Sequence, residues 1–174
     1  MDMPVYPYLP PGRTFRFVPH DHPHMCAAAQ ARQECAGDPL FPVGIVLVRD
    51  GAVVARAGNG FNRGPGEAHL CPRILQNCKS GEGYDLCSLH DAAGHAEPML
   101  VKAAQKVGIP TEGADAYMYG HWWACEPCWQ ALIDAGIRDL YLAEDAHVRF
   151  SREAVYAETL VGYPPEVRSR YGLA

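Results

Sequence analysis

Residues 121–130 read HWWACEPCWQ, and His95-Ala96-Glu97 stands about 30 residues upstream. Taken alone, the Cys125-x-x-Cys128 pair fits a redox dithiol, half of a metal site or two buried thiols almost equally well. The upstream histidine breaks the tie. One imidazole and two thiolates make three protein ligands with the fourth tetrahedral position left for water, the pattern of a catalytic rather than a structural zinc. Glu97 lies two residues beyond His95 and can face that water without ligating; a carboxylate so placed takes the water's proton and passes it on. A thioredoxin-like dithiol follows an early strand and has a long α/β segment after it, whereas only 46 residues follow Cys128.

Two prolines indicate how these residues are held. Proline lacks the N–H that a helix interior needs, so Pro98 and Pro127 must each lie in a first turn. With His95 as a cap, Pro98 is the third helical residue; with Cys125 as a cap, Pro127 is the second. His95, Cys125 and Cys128 then sit at the positive ends of two helices, where exposed N–H groups and the helix dipole favour thiolate over thiol.

The elements around them read as a mixed α/β chain. A proline-rich segment, residues 1–20, is expected to be an extended arm, and MCAAAQARQECA a helix from about His24 to Ala36. FPVGIVLV is too short and too β-branched for a helix; Asp50-Gly51 turns it into a second strand, AVVARAG. The glycine-rich GNGFNRGPGEAH that follows does not match a dinucleotide loop and closes a hairpin instead of opening a βαβ unit. HAEPMLVKAAQKVG is a helix with an apolar stripe and a closing glycine. DAYMYG and RDLYLA read as strands, CEPCWQALIDAG as the helix between them. SREAVYAETLVG and PPEVRSRYG read as two short C-terminal helices within residues 145–174. Trp122 and Trp123 alternate at a strand end, with core packing the default for either; His121 is ambiguous. His20, His22 and His24 are expected in the arm, facing solvent. All of this argues for one domain over residues 1–174, a sheet flanked by helices.

Bulk properties narrow the partners. A 174-residue chain can bury a substantial core. A formal net charge of −5 disfavours gripping polymeric nucleic acid by counterion release but is compatible with a small basic pocket for one phosphate. No apolar run reaches the roughly 20 residues of a membrane helix, and the N-terminus lacks a signal-peptide layout. Seven cysteines in such a chain suit metal binding or catalysis in a reducing cytoplasm better than disulfides.

His95-Ala96-Glu97 with Cys125-Glu126-Pro127-Cys128 resembles the zinc-dependent cytidine/deoxycytidylate deaminase superfamily, whose H-x-E and P-C-x-x-C signature it matches. The likeness runs over roughly residues 41–147, and AGIRDLYLAED with the cysteine-bearing insert is most like the deoxycytidylate (dCMP) branch. It implies a three-layer α-β-α cytidine-deaminase-like fold on a mixed sheet of about five strands. It also implies Zn2+ on His95, Cys125 and Cys128, and Glu97 shuttling protons between water, pyrimidine N3 and leaving ammonia. Ala96 would contact the base carbonyl through its backbone, Asn62 would orient base or sugar, and Arg63 would meet a phosphate. The implied activity is dCMP to dUMP on a free nucleotide, in a homo-oligomer. Cytidine, cytosine or guanine are alternative substrates, and a thiol–disulfide oxidoreductase using Cys125 and Cys128 or a non-catalytic zinc-stabilised module are the readings from other classes. The Cys125–Cys128 spacing differs from that of the riboflavin-pathway deaminases, whose cysteines are farther apart. This chain has Ala124 where the family has proline before the first cysteine, and Pro98-Met99 where an asparagine often follows H-A-E.

The insert, residues 66–94, is a long irregular segment that needs something to order it. It holds His69, Cys71, Cys78, Cys87 and His90. A second, structural zinc there would draw on Cys71, Cys78 and Cys87, with one histidine such as His90 completing the tetrahedron.

Overall fold

The computed structural model describes residues 3–66, 69, 71–79, 81–170 and 173. Five strands form one sheet: β1 (Arg16–Val18), β2 (Gly44–Arg49), β3 (Ala52–Gly58), β4 (Asp115–Tyr119) and β5 (Leu140–Ala143), in the spatial order β1-β5-β4-β2-β3. β2 runs antiparallel to both β3 and β4, while β5 is parallel to β4 and β1. The sheet is therefore mixed, and the chain is α/β.

Local chemistry accounts for the pieces. Asp50 and Gly51 have φ of 50° and 77°, which supplies the two left-handed residues of the tight β2–β3 turn. β4 returns to β5 through a helix, the right setting for a parallel pair. The arm does more than wrap the surface: Arg16–Val18 pairs with Tyr141–Ala143 and becomes the edge strand. Three residues with no period of their own give no strand signal, so this one is made by the partner rather than by its own sequence.

Helix α1 (Pro23–Cys35) starts one residue before the expected boundary. His22 caps it through Nδ1, which accepts the His24 N–H, and stacks on Tyr117 at 5.5 Å, so this histidine is half-buried at a helix start rather than free in the arm. α1 packs across β2, β3 and β4 so closely that a Cβ on Gly44 or Gly58 would strike the backbone at Arg32 or Ala36. The alternate set of strand residues, Ile45, Leu47 and Ala57, is fully buried on the opposite face. There α3 (Ala96–Lys106) covers β2 and β3 and lies beside α4 (Glu126–Asp134).

Among the described residues of 69–94 the regular structure is α2 (Pro72–Leu75) and three 3-10 turns, at Tyr84–Leu86, Ser88–His90 and Ala92–Gly94. They pack with the C-terminal helices α6 (Arg152–Thr159) and α7 (Pro165–Ser169), after the single turn α5 (Ala146–Arg149). A small separate core results, with Leu40, Ile74, Tyr156, Leu160 and Val167 among its members. Among the described residues no helix is long and apolar enough to cross a membrane.

Candidate active site

The first turns of α3 and α4 meet at one point. His95 is the N-cap of α3 and Cys125 the N-cap of α4; Pro98 is the third residue of its helix and Pro127 the second of its own. Neither cap makes a side-chain hydrogen bond to its own helix. Both are turned outward to each other instead. His95 Nδ1 lies 3.2 Å from Cys128 Sγ and 3.5 Å from Cys125 Sγ, and the two sulfurs are 2.9 Å apart.

A zinc about 2.1 Å from nitrogen and about 2.3 Å from sulfur needs N···S edges near 3.6 Å and S···S edges near 3.8 Å. The observed N···S edges fit, and the S···S edge is tighter by about 0.9 Å. One neutral-capable imidazole and two thiols converging this closely are a set of donors able to hold a metal ion. Between themselves the sulfurs share a proton. Hydrogen bonding from Cys128, helped by His95, brings Cys125 down to about 5 against the penalty of burial, while Cys128 rises.

Glu97 is 4% exposed. Its carboxyl reaches the Cys128 sulfur, and burial, reinforced by the Cys125 charge, pushes its pKa upward. A buried carboxyl raised above its ordinary range is suited to accept and return a proton within one cycle.

These residues floor a cavity of about 280 Å³, at the lower end of the range for small-molecule sites. Its walls include Phe41, Asn59, Tyr84, His121, Trp123 and Tyr156. Arg73, His147 and Arg152 bring basic side chains to the same cavity. His121 accepts the N–H groups of Trp122 and Trp123 on Nδ1, at 3.0 and 3.2 Å, and stacks at a tilt on Phe41. Burial drops its pKa to about 3, so the ring is neutral and carries its proton on Nε2. Both tryptophans of the Trp122-Trp123 pair line the cavity, and Trp122 also packs on Tyr6.

Two residues expected near the substrate, Asn62 and Arg63, lie away from the cavity lining. Asn62 does not line the cavity; it sits at φ 54° and its Oδ1 accepts the Gly58 N–H at 2.9 Å, which is turn chemistry. Asn59 is there instead, 9% exposed, with Oδ1 accepting from Val43 N and Nδ2 donating to Phe41 O. The signal available was position: Asn59 directly follows the last residue of β3, three residues nearer the sheet. Arg63 likewise lies outside the cavity, its guanidinium 5.3 Å from the Phe61 ring. Ala96 does line the cavity, at the first helical position.

The insert gathers a second cluster, but with a changed membership. His69, Cys71, Cys87 and His90 bring their donor atoms within 4.8 Å of one another, with His69 Nε2 3.2 Å from Cys87 Sγ and Cys71 Sγ 3.3 Å from His90 Nδ1. Cys78 is not in it; its sulfur lies close against Gly83 instead. Tyr84, which the sequence did not mark, reaches from the insert to the active site and meets the His95 ring edge-on at 4.9 Å.

The match to known proteins covers this same machinery. A family model described as the cytidine and deoxycytidylate deaminase zinc-binding region matches residues 19–144. ComE operon protein 2 of Bacillus subtilis (strain 168) is 32% identical over 108 residues, 62% of this chain and 50% of that protein, so the match spans half the length of this relative. A solved structure from studies of A-to-I editing by tRNA:A34 deaminases shares 29% identity, covering 59% of this chain and 61% of that one, with a TM-score of 0.35. A diaminohydroxyphosphoribosylaminopyrimidine deaminase/5-amino-6-(5-phosphoribosylamino)uracil reductase from Thermotoga maritima shares 20%, covering 84% and 38%, with a TM-score of 0.42. At those scores neither superposition bears on substrate.

Proposed function

The chain belongs to the cytidine and deoxycytidylate deaminase zinc-binding family, and from that premise we propose that it hydrolytically deaminates a free cytosine nucleotide, dCMP to dUMP with release of ammonia. That it is a zinc-dependent deaminase follows from the family and the His/Cys/Cys set. The observation that supports the mechanism best is Glu97, buried on the cavity floor against the Cys128 sulfur.

His95, Cys125 and Cys128 would hold the zinc, which would supply Lewis-acid activation of water. The protein's own groups do the rest. Glu97 takes one proton of the attacking water and delivers it to pyrimidine N3, then takes the second proton from the new C4 hydroxyl and delivers it to the leaving amine. Water oxygen bonds to C4, the C4–N bond breaks, and the nitrogen leaves as ammonia. The Ala96 N–H, at a helix start with no intrahelical acceptor, suits the base carbonyl. Asn59 spends one amide hydrogen on Phe41 O and has a second for the ligand.

Arg73 and Arg152 supply charge for a nucleotide phosphate, whereas the net charge of −5 disfavours a long polyanion. The same reading includes a second, structural zinc on His69, Cys71, Cys87 and His90, a homo-oligomer, and a cytoplasmic setting. The deciding experiment is an ultraviolet and ammonia-release assay of the zinc-loaded protein on dCMP, cytidine, cytosine and guanine, with insulin reduction alongside. Turnover highest on dCMP supports the proposal. Preference for another base or nucleoside, or disulfide reduction by zinc-free protein, overturns it.

A further inference from the structure

His121, in the HWW run just past β4, lines the cavity but has no part in the chemistry at C4. Its ring is held by its own backbone. Nδ1 accepts the Trp122 N–H at 3.0 Å and the Trp123 N–H at 3.2 Å. A ring nitrogen that accepts two N–H groups carries no proton, so the ring's proton sits on Nε2. Phe41 packs against the ring at 5.1 Å and 47°, and the Trp123 indole meets it edge-on at 5.7 Å and 66°. Turning the imidazole would break both N–H contacts and push into these neighbours.

Nε2 is the end left over. Among the described residues it has no hydrogen-bond partner. It is not sealed away either: the Trp123 indole nitrogen is shut off from solvent without a partner, but His121 Nε2 is not, and the residue is only half-buried. Burial keeps the ring uncharged. His121 therefore offers the cavity one neutral N–H donor of fixed tautomer and fixed direction.

We propose that His121 is a specificity-determining residue whose Nε2–H donates to the sugar hydroxyl of the nucleotide. The proposal rests on the reading above, that the substrate is a free cytosine nucleotide. On that reading the base carbonyl has the Ala96 N–H and pyrimidine N3 has Glu97. The phosphate is better matched by the charged Arg73 and Arg152 than by an uncharged ring. What remains is the sugar, which in dCMP carries a single hydroxyl, at the 3′ carbon. Asn59 strengthens this placement. Its Nδ2 donates to Phe41 O at 2.8 Å, while the Phe41 ring packs on His121, so Phe41 ties together the two neutral donors of the wall. A donor held ready for a substrate hydroxyl discriminates sharply, because an analogue without that hydroxyl leaves the N–H unpaired.

The test compares dCMP with 2′,3′-dideoxycytidine monophosphate, which lacks the 3′-hydroxyl, in wild type and His121→Asn. The asparagine Oδ1 replaces Nδ1 as acceptor for the Trp122 and Trp123 N–H groups, but its amide nitrogen stops one bond short of the Nε2 position. Wild type is expected to favour dCMP by about tenfold to a hundredfold in kcat/KM. In His121→Asn that preference should be lost, with KM for dCMP rising more than kcat falls, since the contact is remote from C4. A preference that persists in the variant means that the N–H faces only water, and overturns the proposal. A second measurement needs no variant: nitrogen-15 NMR of the wild-type protein at pH 7 should show His121 neutral and protonated on Nε2. A proton on Nδ1, or a charged ring, overturns it as well. If cytidine proves the better substrate, the dCMP reading fails, and the same comparison made with 3′-deoxycytidine decides the role of His121. A preference for free cytosine, which has no sugar, overturns both.

Discussion

The Glu97 carboxyl lies against the sulfur of Cys128, a ligand from the other helix. Acid–base group and metal ligand are therefore positioned by two rigid first turns meeting, not by a loop. Glu97→Ala removes the proton carrier and leaves His95, Cys125 and Cys128 in place. The expected result is full zinc content with turnover reduced by at least about 10²–10⁴-fold, the usual worth of a positioned general base. Elemental analysis and steady-state assay on one preparation decide it; near wild-type turnover would remove Glu97 from its role.

Cys125 titrates at about 5 because hydrogen bonding from Cys128 and the nearby His95 hold its thiolate. Above that pH the sulfur is charged. Zinc-stripped protein at pH 6 should therefore be alkylated by iodoacetamide at Cys125 well before the exposed Cys26, and zinc should protect it. Peptide mapping gives the order, and faster labelling of Cys26 contradicts the assignment.

His121 is pushed to about 3 by burial, below the ordinary 6.5. The sign follows from linkage: the unfolded chain gains a proton near pH 6.5 that the folded chain refuses until about pH 3. Stability from this residue is thus complete above 6.5 and is lost as pH falls through that window. Between pH 6.5 and 5 the loss is about 1–2 kcal/mol, allowing for the solvent that reaches the ring. His121→Gln should unfold in urea with a shallower acid dependence than wild type; equal slopes would argue for a solvated, ordinary histidine.

Asn59 and Asn62 separate by function. Asn59→Ala is expected to reduce kcat/KM for dCMP by roughly 10–100-fold, as loss of a buried amide contact does. Asn62→Gly, which keeps the left-handed turn and loses one hydrogen bond to Gly58, should change kcat/KM less than about threefold and cost at most about 1 kcal/mol of stability. The opposite ranking would restore Asn62 to the site.

The positions of His95 and Cys125 were legible because proline placement is a local rule: Pro98 and Pro127 could occupy only first turns, and that puts His95 and Cys125 at caps. The β2–β3 hairpin was legible for the same kind of reason, through Asp50-Gly51. What escaped the sequence depends on distance. Arg16–Val18 is a strand only because β5 is beside it. His69 is in the outer cluster and Cys78 against Gly83, and no spacing rule reports which way a loop folds back. Tyr84 reaches His95 across the insert for equally non-local reasons.

Tyr84, Leu89 and His90 place part of the insert in the wall of the reaction cavity, while the sheet and the starts of α3 and α4 provide its floor. Chassis and bodywork are separate. Substitutions in the insert can therefore reshape what the cavity accepts while His95, Glu97, Cys125 and Cys128 stay as they are.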